Sequence, residues 1–137
     1  MTAKEFLKQY EEAQRRALRY KTEYERELEL IDAVGSTLGG DPGMPHGSGI
    51  SRKTEDKAIR LAQKAEKLKE AELDAIEKRQ MIFDFIHTID GVEGEVLYQK
   101  YIMLLTWEEI AHVMSYSVRG IQYVHGRALN IVRERLQ

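Results

Sequence analysis

Residues 106–129 read TWEEIAHVMSYSVRGIQYVHGRAL, and this stretch determines the expected fold of the region that contains it. Thr106 followed three residues later by Glu109 forms a capping box, which predicts a helix that begins at this threonine. Ser117 predicts the start of a second helix, after a short turn at residues 115–116. The stretch therefore predicts two helices packed across a tight turn.

The apolar residues of this stretch recur at the spacing that a buried helix face requires. The predicted inward residues are Ile110, Ala111 and Met114 in the first helix, and Ile121, Val124, Ala128 and either Ile131 or Val132 in the second. Two helices with such faces can pack together and leave the outer side of the second helix free to enter a DNA major groove.

The outer side of the second helix carries side chains suited to contact DNA. We predict as DNA-binding residues Ser117, Val118, Arg119, Gln122, Tyr123 and Arg127. Arg119 can pair with guanine, Gln122 with adenine, and Val118 can touch a thymine methyl group. Residues 117–135 hold four arginines against one acid, Glu134, and therefore carry a charge of +3. Such local basicity is typical of a phosphate-binding surface.

Two further features of this helix bear on the same interpretation. Arg127, Arg133 and Arg135 extend along it and are expected to point toward backbone phosphates. Gly120 and Gly126 each lower helix stability by about 1 kcal/mol relative to alanine. Their presence indicates close approach of another backbone, from DNA or from a neighbouring helix.

Before residue 91 the chain is dominated by two long charged segments. Residues 3–34 lack glycine and proline and carry a heptad-like stripe that only Glu27 interrupts, formed by Ala3, Phe6, Tyr10, Ala13, Ala17, Tyr20, Tyr24, Ile31 and Val34. Residues 51–89 carry a weaker stripe on which Glu72 and Arg79 also fall, formed by Leu61, Ala65, Leu68, Ala75, Ile82, Ile86 and Ile89. Residues 35–50 contain six glycines and both prolines, which predicts a linker between two helices.

These observations predict an all-α fold in two domains. Residues 1–90 are expected to form a long antiparallel helical hairpin, a coiled-coil-like arm. Residues 91–137 are expected to form a small helix-turn-helix domain of three short helices, at 93–103, 106–113 and 117–135. A two-helix arm exposes part of its apolar stripe, so we expect it to dimerise or to bind another protein. The alternative is an arm that packs only on itself.

Composition excludes several classes of protein. The chain has 137 residues and a net charge of −2. It has no cysteine, which excludes a disulfide scaffold, a cysteine-based zinc site and a cysteine nucleophile. The sequence holds no apolar run of membrane-spanning length and no signal-peptide core, so we expect a cytoplasmic protein without a membrane partner.

Catalytic and metal-binding motifs are incomplete. Glu109 and His112 have the Glu-x-x-His spacing of di-iron helical bundles, but no second copy accompanies them. The glycine-rich segment lacks the Gly-Lys-Ser/Thr ending of a phosphate-binding loop. We therefore predict no catalytic residue, no metal ligand and no cofactor, and a protein that is not an enzyme.

The motifs of residues 97–129 resemble region 4, the promoter-recognising C-terminal domain of bacterial sigma factors. The resemblance covers about one third of the chain and is carried by Leu97-Tyr98-x-x-Tyr101, Thr106-Trp107-Glu108-Glu109-Ile110-Ala111, Tyr116-Ser117 and His125-Gly126-Arg127-Ala128-Leu129. The layout of nearly the whole chain, with Gly-Met-Pro at 43–45 between two long helices, resembles a bacteriophage and prophage protein family. That family is largely of unknown function and has a sigma region 4-like helix-turn-helix C-terminal half.

The resemblance implies that Val118, Arg119, Gln122 and Tyr123 face DNA bases and that Arg127 contacts a phosphate. Gly120 and Gln122 stand where sigma factors commonly carry arginine. We therefore expect the docking mode of sigma factors without their target sequence.

The expected function is that of a phage-encoded transcriptional regulator in the cytoplasm of the bacterial host cell. It would read a promoter or operator in double-stranded DNA through its last helix, with the arm forming a homo-oligomer or contacting a partner. Two alternatives stay open: an interaction protein that binds bacterial RNA polymerase without reading DNA, and a phage packaging or assembly adaptor.

Overall fold

A computed structural model describes residues 1–38 and 52–137, and the side chains of 1–32 and 52–137. The described residues confirm the all-α class. They form six helices: α1 (Ala3–Leu7), α2 (Gln9–Leu38), α3 (Arg52–His87), α4 (Gly91–Tyr101), α5 (Trp107–Met114) and α6 (Val118–Leu136). The predicted linker at 35–50 begins later than expected, because α2 continues through Gly35 to Leu38; the rest of that segment lies outside the described residues.

The predicted single helix at 3–34 is two helices separated by one residue. Lys8 lies between α1 and α2. Its backbone N–H still donates to the Lys4 carbonyl at 2.9 Å, and its carbonyl accepts from Glu12 N–H at 3.0 Å. Helical hydrogen bonds therefore continue on both sides of the break between α1 and α2 at Lys8.

The chain divides into two compact units, residues 1–15 with 74–137, and residues 16–73. In the second unit the predicted stripe of α2 is confirmed at Ala17, which is buried, and at Tyr20, Tyr24 and Ile31, which are half-buried; the side chain of Val34 lies outside the described residues. Glu27, the residue that interrupts the stripe, forms an ion pair with Lys64 of α3 at 3.3 Å. The carboxylate is thus matched by a cation on the facing helix, which lowers the cost of placing it there.

The stripe predicted for α3 is wrong at two positions. Glu72 and Arg79 are exposed, whereas Ala71 is buried and Lys78 is half-buried. Placing Ala71 rather than Glu72 on the inner side removes a carboxylate from a contact surface and allows close helix packing. The apolar members of the predicted stripe are confirmed, being buried or half-buried: Leu61, Ala65, Leu68, Ala75, Ile82, Ile86 and Ile89.

The first unit has a core built from both sides of the boundary predicted at residue 90. Its buried members are Ala3, Leu7, Ile82, Ile86, Ile89, Leu97, Tyr101, Ile102, Ala128, Leu129 and Val132. Phe6 and Phe85 pack at its edge, with their ring centroids 4.9 Å apart in an edge-to-face contact. Helix α1 and the end of α3 therefore supply apolar surface to the same core as α4 and α6.

A second cluster joins α4, α5 and α6 in the same unit. It consists of Val96, Ile110, Ala111, Ile121 and Val124, with Trp107, Met114 and Val118 half-buried against it. The predicted capping box is confirmed: Glu109 N–H donates to the Thr106 hydroxyl at 3.2 Å, and Thr106 N–H donates to the Glu109 carboxylate at 3.3 Å. Local capping thus fixes where α5 begins, and burial of its apolar face fixes how it packs.

Candidate nucleic-acid interface

The start of α6 is set by a tight turn and a serine cap. Ser115 has a φ of 57° and ψ of 41°, the left-handed conformation that ends α5. The Ser117 hydroxyl then accepts a hydrogen bond from Gly120 N–H at 3.0 Å, which confirms its predicted role as the cap. The turn between α5 and α6 is therefore short, and α6 begins at the protein surface.

The structure places the predicted DNA-binding residues on one end of α6 but not all in the same environment. The exposed ones are Ser117, Arg119, Gln122, Tyr123 and Arg127. Val118 is half-buried and packs against the cluster of α4, α5 and α6. Because Val118 packs against that cluster, it is less available for contact with a thymine methyl group than its exposed neighbours are for contact with base edges.

Arg127 takes part in an ion pair that sequence reasoning missed. Its guanidinium donates a hydrogen bond to the carboxylate of Glu93 in α4, and it lies 5.7 Å from the ring centroid of Tyr123. The hydrogen bond from Arg127 lowers the pKa of Glu93, and the same contact raises the pKa of Arg127. The charge of Arg127 is therefore already partly compensated within the chain.

Two of the remaining arginines of α6 also have partners. Arg133 donates to the Asn130 side chain at 2.8 Å, and Arg135 donates to the Thr88 hydroxyl, beyond the end of α3, at 2.7 Å. Arg119 has neither an ion pair nor a hydrogen bond from its side chain to another described residue. Of the four arginines that give this helix its charge, Arg119 is the one whose guanidinium is left to solvent.

The two glycines of α6 differ from expectation. A methyl group at Gly126 would meet nothing within 4 Å, so within the described chain no neighbouring helix approaches it. At Gly120 a methyl group would lie 3.1 Å from the Ser117 hydroxyl and 3.7 Å from the Tyr116 ring. The expected approach of a neighbouring helix is therefore wrong at Gly126, and the approach of DNA stays a prediction.

Behind the exposed face, a buried histidine connects α6 to α4. His125 is 6% exposed, and its Nε2 lies 2.7 Å from the hydroxyl of Tyr101. The Trp107 ring meets the imidazole edge-on, with centroids 4.8 Å apart. Sequence reasoning did not place His125 in the core, although its spacing from Ile121 and Ala128 was the signal that could have done so.

Burial shifts the pKa values of both His125 and Tyr101. Desolvation, with the charges of Lys4 and Lys100 as smaller causes, lowers the pKa of His125 to about 4. Desolvation, with a smaller contribution from the charge of Glu11, raises the pKa of Tyr101 to about 12. Both side chains are consequently neutral at pH 7, and one proton lies between the hydroxyl oxygen and Nε2.

The stability of the fold is expected to fall as the pH drops from about 6.5 to 4. The unfolded chain binds a proton at His125 near its ordinary pKa of 6.5, whereas the folded chain resists protonation until about 4. Protonation in this window therefore favours unfolding, by about 2 kcal/mol after allowance for solvent screening. Urea unfolding at a series of pH values measures this slope.

Two variants separate His125 from the other titrating groups. His125→Gln retains a polar side chain without a titration in this range, so its free energy of unfolding should depend less on pH than that of the parent. His112→Gln, at an exposed position of α5, should keep the parental slope. Identical slopes for the parent and His125→Gln would show that the buried imidazole is not the group responsible.

Comparison with known proteins provides no family assignment. No family model matches the chain, and no curated protein and no solved structure is similar to it. Among the described residues, no three His, Asp or Glu side chains are grouped so as to hold a metal ion. No helix in the described ranges combines the length and apolar character needed to cross a membrane.

Proposed function

We propose that the chain is a DNA-binding transcriptional regulator of the phage type, which inserts the first two turns of α6 into a major groove. In this proposal α4, α5 and α6 form a sigma region 4-like helix-turn-helix domain. The long helices α2 and α3 form an antiparallel arm for dimerisation or for contact with a partner such as RNA polymerase.

The proposal depends on one observation, the division of α6 into two faces. Ile121 and Val124 are buried toward α4 and α5, whereas Arg119, Gln122 and Tyr123 are exposed along the first two turns. A helix held from behind in this way can present arginine and glutamine to base edges, which a major groove is wide enough to admit.

The ion pair between Arg127 and Glu93 refines the roles assigned from sequence. Arg119 is the arginine best placed to read a base, because no other side chain of the described chain engages it. Arg127 would exchange its contact with Glu93 for a phosphate, so that Glu93 opposes DNA binding. The net basicity offered to DNA is then smaller than the four arginines alone indicate.

DNA binding is tested by selection from a random pool of double-stranded DNA, followed by anisotropy of the enriched duplex and a scrambled duplex. We expect selective binding that weakens between about 50 and 200 mM salt. Arg119→Ala should lose about 1–3 kcal/mol of binding free energy on the enriched duplex and little on the scrambled duplex. Arg127→Ala should weaken binding to both duplexes by a similar factor. Glu93→Gln should strengthen binding to both.

Arg60→Ala provides the matched control, since Arg60 is an exposed arginine of α3 outside the proposed interface. It should bind both duplexes as the parent does. Absence of binding at low salt would overturn the proposal. Parental binding by both Arg119→Ala and Arg127→Ala would show that another surface contacts the DNA.

One observation favours a protein partner on the same end of the molecule. Val113, Tyr116 and Tyr123 are exposed by 57%, 46% and 68%. Exposed aromatic and aliphatic side chains are more typical of protein interfaces than of phosphate-binding surfaces. If DNA binding fails, retention of purified bacterial RNA polymerase by the parent, and its loss in Tyr123→Ser, would support the alternative of an interaction protein that binds RNA polymerase without reading DNA.

A further inference from the structure

The corner between α3 and α4 surrounds an open cavity of about 490 Å³, distinct from the α6 face. Its lining includes Phe83, His87, Asp90, Gly94, Glu95 and Tyr98. Ile86, Ile89 and Gly94 are buried, whereas His87, Asp90, Gly91 and Glu95 are exposed. The cavity therefore combines a buried apolar part with a polar, accessible rim.

Two glycines give the corner its shape. Gly91 adopts a φ of +83°, which L side chains rarely adopt. Gly94 packs so closely on the carbonyl of Ile89 that a Cβ atom would lie 2.0 Å from its oxygen. At both positions the cavity is lined by backbone without a side chain.

Aromatic rings form one side of the cavity. Phe83 and His87 lie nearly parallel, with centroids 5.5 Å apart and an angle of 18° between their planes. Tyr98 meets Phe83 edge-on at 6.2 Å. The Arg79 guanidinium lies 5.9 Å from the Phe83 ring centroid, although Arg79 is not part of the lining. Phe83 is thus already engaged by Arg79 and His87, whereas among the described residues no cation–ring contact involves the ring of His87 or Tyr98.

The polar part of the lining is acidic. Asp90 and Glu95 contribute two carboxylates, and no lysine or arginine lines the cavity. Asp90 occupies the N-cap position of α4, yet its side chain makes no capping hydrogen bond. Glu95 accepts from Gln99 at 2.9 Å through one oxygen. Oxygen atoms of both carboxylates are therefore left for an outside donor.

We propose that this cavity binds the guanidinium group of an arginine side chain presented by a partner protein. Flat rings and carboxylates together match a planar cation that stacks and donates paired hydrogen bonds, as guanidinium does. The exposed rim favours a side chain that projects from a larger surface, because free small ligands are held in sites that enclose most of their surface. The site is separate from the proposed DNA interface and does not depend on it.

The test is an NMR titration of the full chain with N-acetyl-arginine methylamide, followed at the backbone amides of Gly91, Gly94 and Glu95. We expect saturable shifts with a dissociation constant on the order of 1 mM. The matched citrulline compound has the same shape without the charge and should bind about tenfold more weakly or not at all. Equal shifts with citrulline would overturn the proposal, and this comparison needs no variant.

Two variants locate the binding on the acidic part of the lining. Asp90→Asn combined with Glu95→Gln should weaken arginine binding about tenfold while the amide spectrum keeps its dispersion. Glu77→Gln removes an exposed carboxylate of α3 outside the cavity and should leave binding unchanged. Unchanged binding in the double variant would contradict the proposed site.

Two other ligands test the chemical assignment on the parent chain. The matched N-acetyl-lysine methylamide carries a compact charge that cannot stack, and it should bind several-fold more weakly than the arginine compound. Inorganic phosphate tests the opposite charge at the same amides. Lysine binding as tight as arginine binding, or saturable shifts with phosphate, would overturn the assignment to guanidinium.

Discussion

Gly94→Ala is expected to lower the free energy of unfolding by about 4 kcal/mol or more, the largest effect of an added methyl group among Gly91, Gly94, Gly120 and Gly126. The new Cβ atom would lie 2.0 Å from the carbonyl oxygen of Ile89 and 3.0 Å from its carbonyl carbon. These are backbone atoms at the junction of α3 and α4, so no side-chain rotation can relieve the contact. Chemical denaturation followed by far-UV circular dichroism measures the loss.

Gly126→Ala is the matched control for this substitution. Gly126 is also inside a helix, but an added methyl group there meets nothing within 4 Å. Alanine should therefore stabilise the chain by about 0.5–1 kcal/mol through helix propensity. If Gly94→Ala proved as stable as the parent, the junction would have to differ from the one described.

A fragment of residues 91–137 is expected to be largely unfolded when produced alone. The core of the first unit has eleven buried members, and five of them lie outside the fragment, in α1, in α3 and just beyond α3. The four large ones, Leu7, Ile82, Ile86 and Ile89, each contribute about 1.5–3 kcal/mol when buried. Their sum is comparable to the stability of a whole small domain, about 5–15 kcal/mol.

Proton NMR dispersion and thermal melting of the fragment test this expectation against the full chain. In the full chain, Leu7→Ala should cost about 2–5 kcal/mol because Leu7 is fully buried. Leu18→Ala, at a position 61% exposed in α2, should cost less than about 0.5 kcal/mol. A cooperative melt of the isolated fragment would instead support a domain boundary at residue 90.

The sequence was informative where structure depends on near neighbours. The caps at Thr106 and Ser117 each involve a partner only three residues away, so their motifs could be recognised directly. The inward faces of α5 and α6 followed from helical spacing, which the burial of Ile110 and Ile121 confirms. Such features need no knowledge of the rest of the fold.

Contacts between distant segments could not be predicted in this way. Glu93 and Arg127 are 34 residues apart, and nothing in their local sequence relates them. That Ala71 rather than Glu72 faces inward in α3 depends on packing against distant residues, which local spacing does not show. The cavity at the α3–α4 corner likewise lies where Gly94 packs closely on Ile89, an approach that spacing alone does not reveal.

The packing of α1 on α6 has a consequence for the order of events during synthesis. Ala3 and Leu7 share a core with Ala128 and Val132, which are translated about 120 residues later. Until α6 has left the ribosome, α1 can be covered only by segments translated before it, and the surface that later meets Ala128 and Val132 is open to chaperones or to other nascent chains. Closing so long a loop is slow, so the docking of α1 on α6 is expected to be a late step of folding.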